Sequence, residues 1–123
     1  MIVLKTLDWI GDSKERFGEF PEEVRKEMGY ALYLAQAGDT SPSAKPLKGF
    51  TGTAVLELVE NYRKDTYRAI YTVKFAERVY MLHAFQKKAK HGIKTPQHEM
   101  DLVKSRLKRA EEDDKIRHKD TAR

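Results

Sequence analysis

The chain has no cysteine, which excludes disulfides and thiolate metal sites and fits a reducing compartment. Nor does any hydrophobic run approach the roughly 20 residues that a membrane-spanning helix needs. The apolar start, Met1 to Leu4, is too short for a signal peptide and is soon interrupted by Asp8. The expectation is a cytoplasmic protein with no membrane partner. Glycine is sparse, and Lys48-Gly49-Phe50-Thr51-Gly52 lacks the spacing and terminal Lys-Ser/Thr of a phosphate-binding loop. The histidines, His83, His91, His98 and His118, show no paired metal-ligand spacing, and no serine sits in a nucleophile elbow. No metal or other cofactor is therefore expected.

What is present is charge, unevenly distributed. Residues 1–61 carry 7 Lys/Arg against 10 Asp/Glu, whereas residues 62–123 carry 17 against 9. The net charge of +5 thus conceals an acidic first half and a strongly basic second half. A basic half suits a polyanionic partner, because neutralising phosphates releases counterions. A lysine-rich solvated surface has the same composition.

The 123 residues suffice for one domain with a modest core. Ile2 to Leu7 reads as a strand. Asp12 and Ser13 are N-cap residue types for a short helix ending near Phe17. Pro21, Glu22 and Glu23 then open a longer helix, with Val24, Met28, Ala31 and Ala35 at helical spacing and Gly38 as its stop. Residues 39–53, with Pro42 and Pro46, read as loop.

Ala54 to Tyr62 alternates as a strand. After a turn at Arg63 to Thr66, two runs rich in aromatic and β-branched residues flank the short connection Lys74 to Arg78. These three strands are expected to form an antiparallel meander, joined by the first strand. Thr95 and Pro96 restart a helix with Met100, Val103, Leu107 and Ala110 as its core stripe and Lys104, Arg106, Lys108 and Arg109 facing elsewhere. Residues 1–110 make the domain. Residues 111–123 hold one large apolar residue, Ile116, and are expected to fray. The class is α+β in two layers, helices on a sheet.

The chemistry open to such a chain is cation-based work on phosphodiesters. In RNA the 2′-oxygen attacks the adjacent phosphorus, charge gathers on the phosphoryl oxygens, and the leaving 5′-oxygen takes a proton. Guanidinium and ammonium groups supply the electrostatic part. Arg68 stands within the second meander strand, on a face with Ile70 and Thr72. It is either a phosphate contact or an ordinary strand cation. His83 alternates onto a face with Val79, Met81 and Phe85, as a proton shuttle or as a half-buried, hydrogen-bonded histidine. Lys87 and Lys88 close the third strand, as phosphate ligands or as edge-protecting lysines. Arg63, Lys64, Lys90 and Lys94 extend the basic region along the chain.

The runs TYRAIYTV and RVYMLHAFQKKAKHGIKTP, followed by a helix with Glu99 and an Arg/Lys-rich end, resemble the phage-related, HigB-type branch of the RelE/ParE toxin superfamily. The resemblance spans about Ala54 to Ala110 and is strongest at Tyr67–Tyr71 and Leu82–Lys88. It implies a RelE-like fold: a twisted antiparallel sheet, two N-terminal helices packed on it, and a C-terminal helix. It also implies the toxin of a type II toxin–antitoxin module, cleaving mRNA on the ribosome without metal. A helix-turn-helix, HigA-like antitoxin would hold it inactive. By the resemblance, the phosphate-contacting arginine falls on Arg68 and the following basic pair on Lys87 and Lys88, with His83 or Lys87 shuttling protons. RNA would be held by Arg63, Lys64, Lys90 and Lys94.

The chain departs from that pattern in two places. Glu57 and Glu60 stand on the strand where RelE has lysines, and no tyrosine follows Lys88, so Tyr62 or Tyr80 would have to stack on a base. Two other functions stay open: a non-enzymatic, ParE-like inhibitor of DNA gyrase, and an inactive phage-derived relic.

Overall fold

The computed structural model describes residues 3–50, 52, 54–87 and 96–121, with side chains as far as residue 119. Its elements run β1 (Thr6–Trp9), α1 (Ser13–Gly18), α2 (Glu22–Gln36), β2 (Lys45–Pro46), β3 (Val55–Tyr62), β4 (Asp65–Thr72), β5 (Arg78–Lys87) and α3 (Gln97–Thr121). The strands form one sheet in the order β1-β5-β4-β3-β2. The β3-β4-β5 meander is antiparallel, as its alternation predicts, while β1 adds to β5 in parallel.

The sheet separates two apolar layers. On one side α2 lays Val24, Met28, Ala31, Leu32 and Ala35 onto Leu58, Tyr67, Ala69, Tyr71, Val79 and Met81. On the other, Val103, Leu107 and Ala110 of α3 pack with Leu47, Phe50, Val55, Ile70, Tyr80, Leu82 and Phe85. Most side chains of β4 and β5 are thereby buried on one side or the other, which accounts for their largely apolar and aromatic composition. The expected α+β class is the observed one, but α2 and α3 cover opposite faces of the sheet, so the helices lie on both sides of it rather than in a single layer.

Pro21 stands just before α2, where its missing N–H costs nothing, and Glu22 and Glu23 follow in the first turn. At the other end Gly38 takes φ 86°, and the Asp39 N–H returns to the Leu34 carbonyl at 2.8 Å. This is the left-handed stop that glycine permits.

Four other expectations need correction. The first strand lies at Thr6–Trp9, with Val3 to Lys5 outside it and Ile2 outside the described residues, because its pairing with Arg78–Met81 governs register more than its own hydrophobicity does. The 39–53 loop contains the short strand β2, paired to β3. Asp12 does not cap α1 with its side chain; that carboxylate binds two arginines instead. Finally, α3 does not end near Ala110 but continues to Thr121.

The continuation of α3 is held by polar side chains where apolar ones are missing. Lys74 Nζ reaches Glu111 at 2.6 Å, and the buried Tyr80 hydroxyl donates to Asp113 at 2.7 Å. Arg117 bonds the same Asp113 carboxylate at 2.7 Å, one helical turn away. Composition alone misses such anchors because they depend on partners 33 and 37 residues distant.

Candidate functional site

Hairpin register gathers the cations. In β3 and β4, Tyr62 pairs with Asp65, so Arg63 and Lys64 form the tip of a tight turn, and both are exposed. Arg63 takes φ 58° there, and its guanidinium lies 5.2 Å from the Tyr62 ring centroid. Thr66 pairs with Lys87, which brings the half-buried end of β5 to the same end of the sheet. A 2.8 Å bond from Gln86 Nε2 to Asp65 ties the two together. Arg63, Lys64 and Lys87 thus lie at the same end of the sheet. Lys88, Lys90, Lys94 and His91 lie outside the described residues.

Arg68 lies further into the sheet, opposite Val59 and Phe85. It is 5% exposed, and its Nη1 sits 3.0 Å from Glu57 Oε2. Glu57 on β3 therefore supplies this arginine with a half-buried counter-ion. Tyr80 is fully buried with its hydroxyl on Asp113, so it does not stack on a base; Tyr62 is half-buried beneath Arg63.

His83 departs most from the sequence reading. A bulge in the β4–β5 ladder pairs Ile70 with His83 but Tyr71 with Met81, leaving Leu82 as the extra residue. Simple alternation fails across that step. Val79 and Met81 face α2, whereas His83 lies with Phe85 on the α3 side, the two rings stacked at 5.1 Å. The residue is 1% exposed.

There His83 joins a buried polar relay. Its Nε2 is 2.8 Å from Glu99 Oε2, and its Nδ1 is 3.2 Å from Arg106 Nη1. A guanidinium can only donate, so Nδ1 accepts and Nε2 carries the proton toward Glu99. Arg106 also donates to the Leu82 carbonyl at 3.0 Å and to Asp12 Oδ1 at 2.6 Å. Asp12 Oδ2 receives Arg16 Nε at 2.9 Å. First Arg16 and then Arg106 hold the Asp12 carboxyl down to about 2. Gly11 makes room for the arrangement: it takes φ 60°, and a Cβ there would fall 2.9 Å from the Arg106 guanidinium.

The sequence reading placed Arg106 among the outward charges, but it is 7% exposed. It sits three residues after Val103 and four before Ala110, within the apolar stripe itself, and seven after Glu99. That heptad spacing was the available clue to a charged pair aimed at the sheet.

Burial pushes the His83 imidazole below its ordinary value and outweighs the opposing pull of Glu99; Arg106 and Arg16 add to the lowering. An unfolded histidine takes up a proton below about pH 6.5, whereas folded His83 resists it. This contribution to stability is therefore complete above that pH and is lost as pH falls from about 6.5 toward the folded value. Denaturant titrations at about pH 7.5 and 5.5 should show that loss. His83→Asn should make the dependence shallower. An unchanged slope would show that folded His83 titrates normally.

The sequence matches the family described as phage derived protein Gp49-like (DUF891) over residues 15–108. The chain belongs to this family. No curated protein matches it. Two solved structures are similar to this Gp49-like chain. A double arginine-to-alanine mutant of the E. coli toxin RelE in the free state is 16% identical, with a TM-score of 0.49, over 67% of this chain and 82% of that one. The toxin–antitoxin complex RelBE2 from Mycobacterium tuberculosis contains a chain 13% identical, with a TM-score of 0.44, over 72% of this chain and 97% of that one. Among the described residues, no helix is long and apolar enough to cross a membrane.

Proposed function

We propose that this Gp49-like chain is the toxin of a type II toxin–antitoxin pair and cleaves translated mRNA on the ribosome. The observation that carries the reading is the convergence of Arg63, Lys64 and Lys87 at one end of the sheet, where β5 leads into a run carrying Lys88, Lys90 and Lys94. Such a cluster binds phosphates and stabilises the charge that gathers on phosphorus as the 2′-oxygen attacks. The motif resemblance points the same way. In this reading residues 1–110 are the toxin domain and the protein works in the cytoplasm. Its partners are mRNA, the ribosome and a helix-turn-helix, HigA-like antitoxin encoded beside it.

A second reading, a non-enzymatic ParE-like inhibitor of gyrase, is favoured by one specific observation. Arg68 and His83, the residues expected to do chemistry, are both buried and engaged with carboxylates.

Induced expression followed by primer extension on cellular transcripts separates the two. Ribonuclease action gives new 5′ ends in register with codons within minutes, and Lys87→Ala combined with Lys88→Ala weakens them at least tenfold. Intact transcripts with accumulating DNA damage would establish the gyrase reading instead.

A further inference from the structure

Catalysis by the proposed reaction requires a group that takes the 2′-hydroxyl proton. The buried Arg68 and His83 do not offer one to an incoming RNA, and Lys87 serves there as a phosphate-binding cation. We propose that His98 is that group, held in place by Glu99; this rests on the RNA-cleavage reading above.

His98 lies in the first turn of α3 with a side chain 80% exposed, and its Nε2 is 3.2 Å from Glu99 Oε1. Adjacent helical residues rarely make a defined pair, because their side chains diverge. Glu99 differs in being fixed from behind. Its side chain is only 15% exposed, and Oε2 is bound by the buried His83. His83 is oriented by Arg106, and Arg106 is clamped by Asp12 and by the Leu82 carbonyl. A chain of five side chains, from Asp12 to His98, thus presents one carboxylate oxygen to an imidazole at the surface. An accessible base oriented by a carboxylate, itself held by further groups, is the arrangement of activated acid–base sites on unrelated folds.

The location fits as well. The Glu99–His83 bond fixes the first turn of α3 against the second half of β5, which carries Phe85, Gln86 and Lys87. On the α1 side of that half-strand, Arg16, Glu19, Phe20, Ala84, Phe85 and Gln86 line an open cleft of about 220 Å³. Arg16 lies close enough to Glu99 and His83 to interact with both electrostatically. His98 is thereby carried on the turn that packs against the strand whose end holds Lys87.

In the step itself, His98 Nε2 keeps its proton toward Glu99 and Nδ1 is the acceptor. Nδ1 takes the 2′-hydroxyl proton as the 2′-oxygen forms its bond to phosphorus. The bond from phosphorus to the 5′-oxygen breaks, and water supplies the proton which that oxygen takes up. The products are a 2′,3′-cyclic phosphate and a 5′-hydroxyl, and the imidazolium returns its proton to solvent. His98 is then the catalytic residue and Glu99 a positioning residue.

The test uses the full-length protein on translating ribosomes carrying a defined mRNA, comparing wild type, His98→Ala and Glu99→Gln. Because His98 is exposed, His98→Ala should leave thermal unfolding unchanged. Its single-turnover cleavage should fall by roughly a hundredfold or more, the usual range for loss of a general base. Free imidazole in the buffer should restore part of that loss in His98→Ala and do nothing for wild type, a response no structural role produces. Glu99→Gln should slow cleavage less and show no imidazole rescue. Wild-type cleavage with His98→Ala within about twofold of it, or a loss that imidazole does not repair, overturns the assignment while leaving the ribonuclease reading intact. No cleavage by the wild type removes that reading and the assignment with it.

Discussion

Arg106→Ala should destabilise the protein by about 3 kcal/mol and lower its melting temperature by about 10 °C, and its place in the α3 stripe is the one sequence clue to a structural role. The guanidinium serves three acceptors at once: His83 Nδ1, the Leu82 carbonyl and Asp12. Removing it leaves the first two buried with an unmet acceptor, each costing about 1–3 kcal/mol, and opens a hole between α3 and β5. The Asp12 side chain is 40% exposed and keeps Arg16, so it contributes little to the loss. Arg106→Lys should recover only a small part, since an ammonium cannot span the acceptors that a planar fork reaches together. Thermal melts and denaturant titrations of both variants measure this directly. A loss below about 1 kcal/mol would show that the relay adds little net stability and that α3 is held by its apolar stripe and its contacts with Lys74 and Tyr80.

The relay also marks where sequence reading succeeds and where it stops. The meander was legible because Ala54 to Lys87 alternates apolar and polar residues, or carries the β-branched and aromatic types of a doubly covered strand, between recognisable turns. The core stripe of α3 followed from its 3.6-residue spacing. The site was legible only where local rules reach: Arg63, Lys64 and Lys87 are brought together by hairpin register, which alternation and turn position predict. The face taken by His83 was not, because one extra residue in β5 reverses alternation and nothing in Met81-Leu82-His83 announces a bulge. Glu57, Glu99 and Asp12 gain their roles from partners 11, 16 and 94 residues away, and no periodicity encodes such pairings. The helix beyond Ala110 was missed for the same reason: Glu111 and Asp113 look like solvated acids until Lys74 and Tyr80 are placed beneath them.

The Arg68–Glu57 pair offers the second large effect, and it separates structure from chemistry. Both side chains are largely withdrawn from water, at 7% and 17% exposure, with 3.0 Å between Nη1 and Oε2. Deleting one partner of such a pair strands the other charge, and Glu57→Ala should cost about 3–5 kcal/mol. Arg68→Ala should be similarly costly, so relief of toxicity by that substitution alone says nothing about catalysis. The double variant Arg68→Met with Glu57→Leu answers the question. Replacing a buried ion pair by apolar residues of similar size is often neutral or stabilising, so the double variant should fold with a melting temperature close to wild type. If Arg68 leaves Glu57 to hold the scissile phosphate when RNA binds, this stable protein will no longer cleave. If instead the pair only joins β3 to β4, the double variant will match wild type in the growth-arrest and cleavage assays that test the ribonuclease proposal. Charge at the RNA would then come from Arg63, Lys64 and Lys87. The buried geometry favours the second outcome, because opening the pair means desolvating Arg68 against phosphate while returning Glu57 to water beside an anionic strand. A folded, non-cleaving double variant would show that RNA binding does open it.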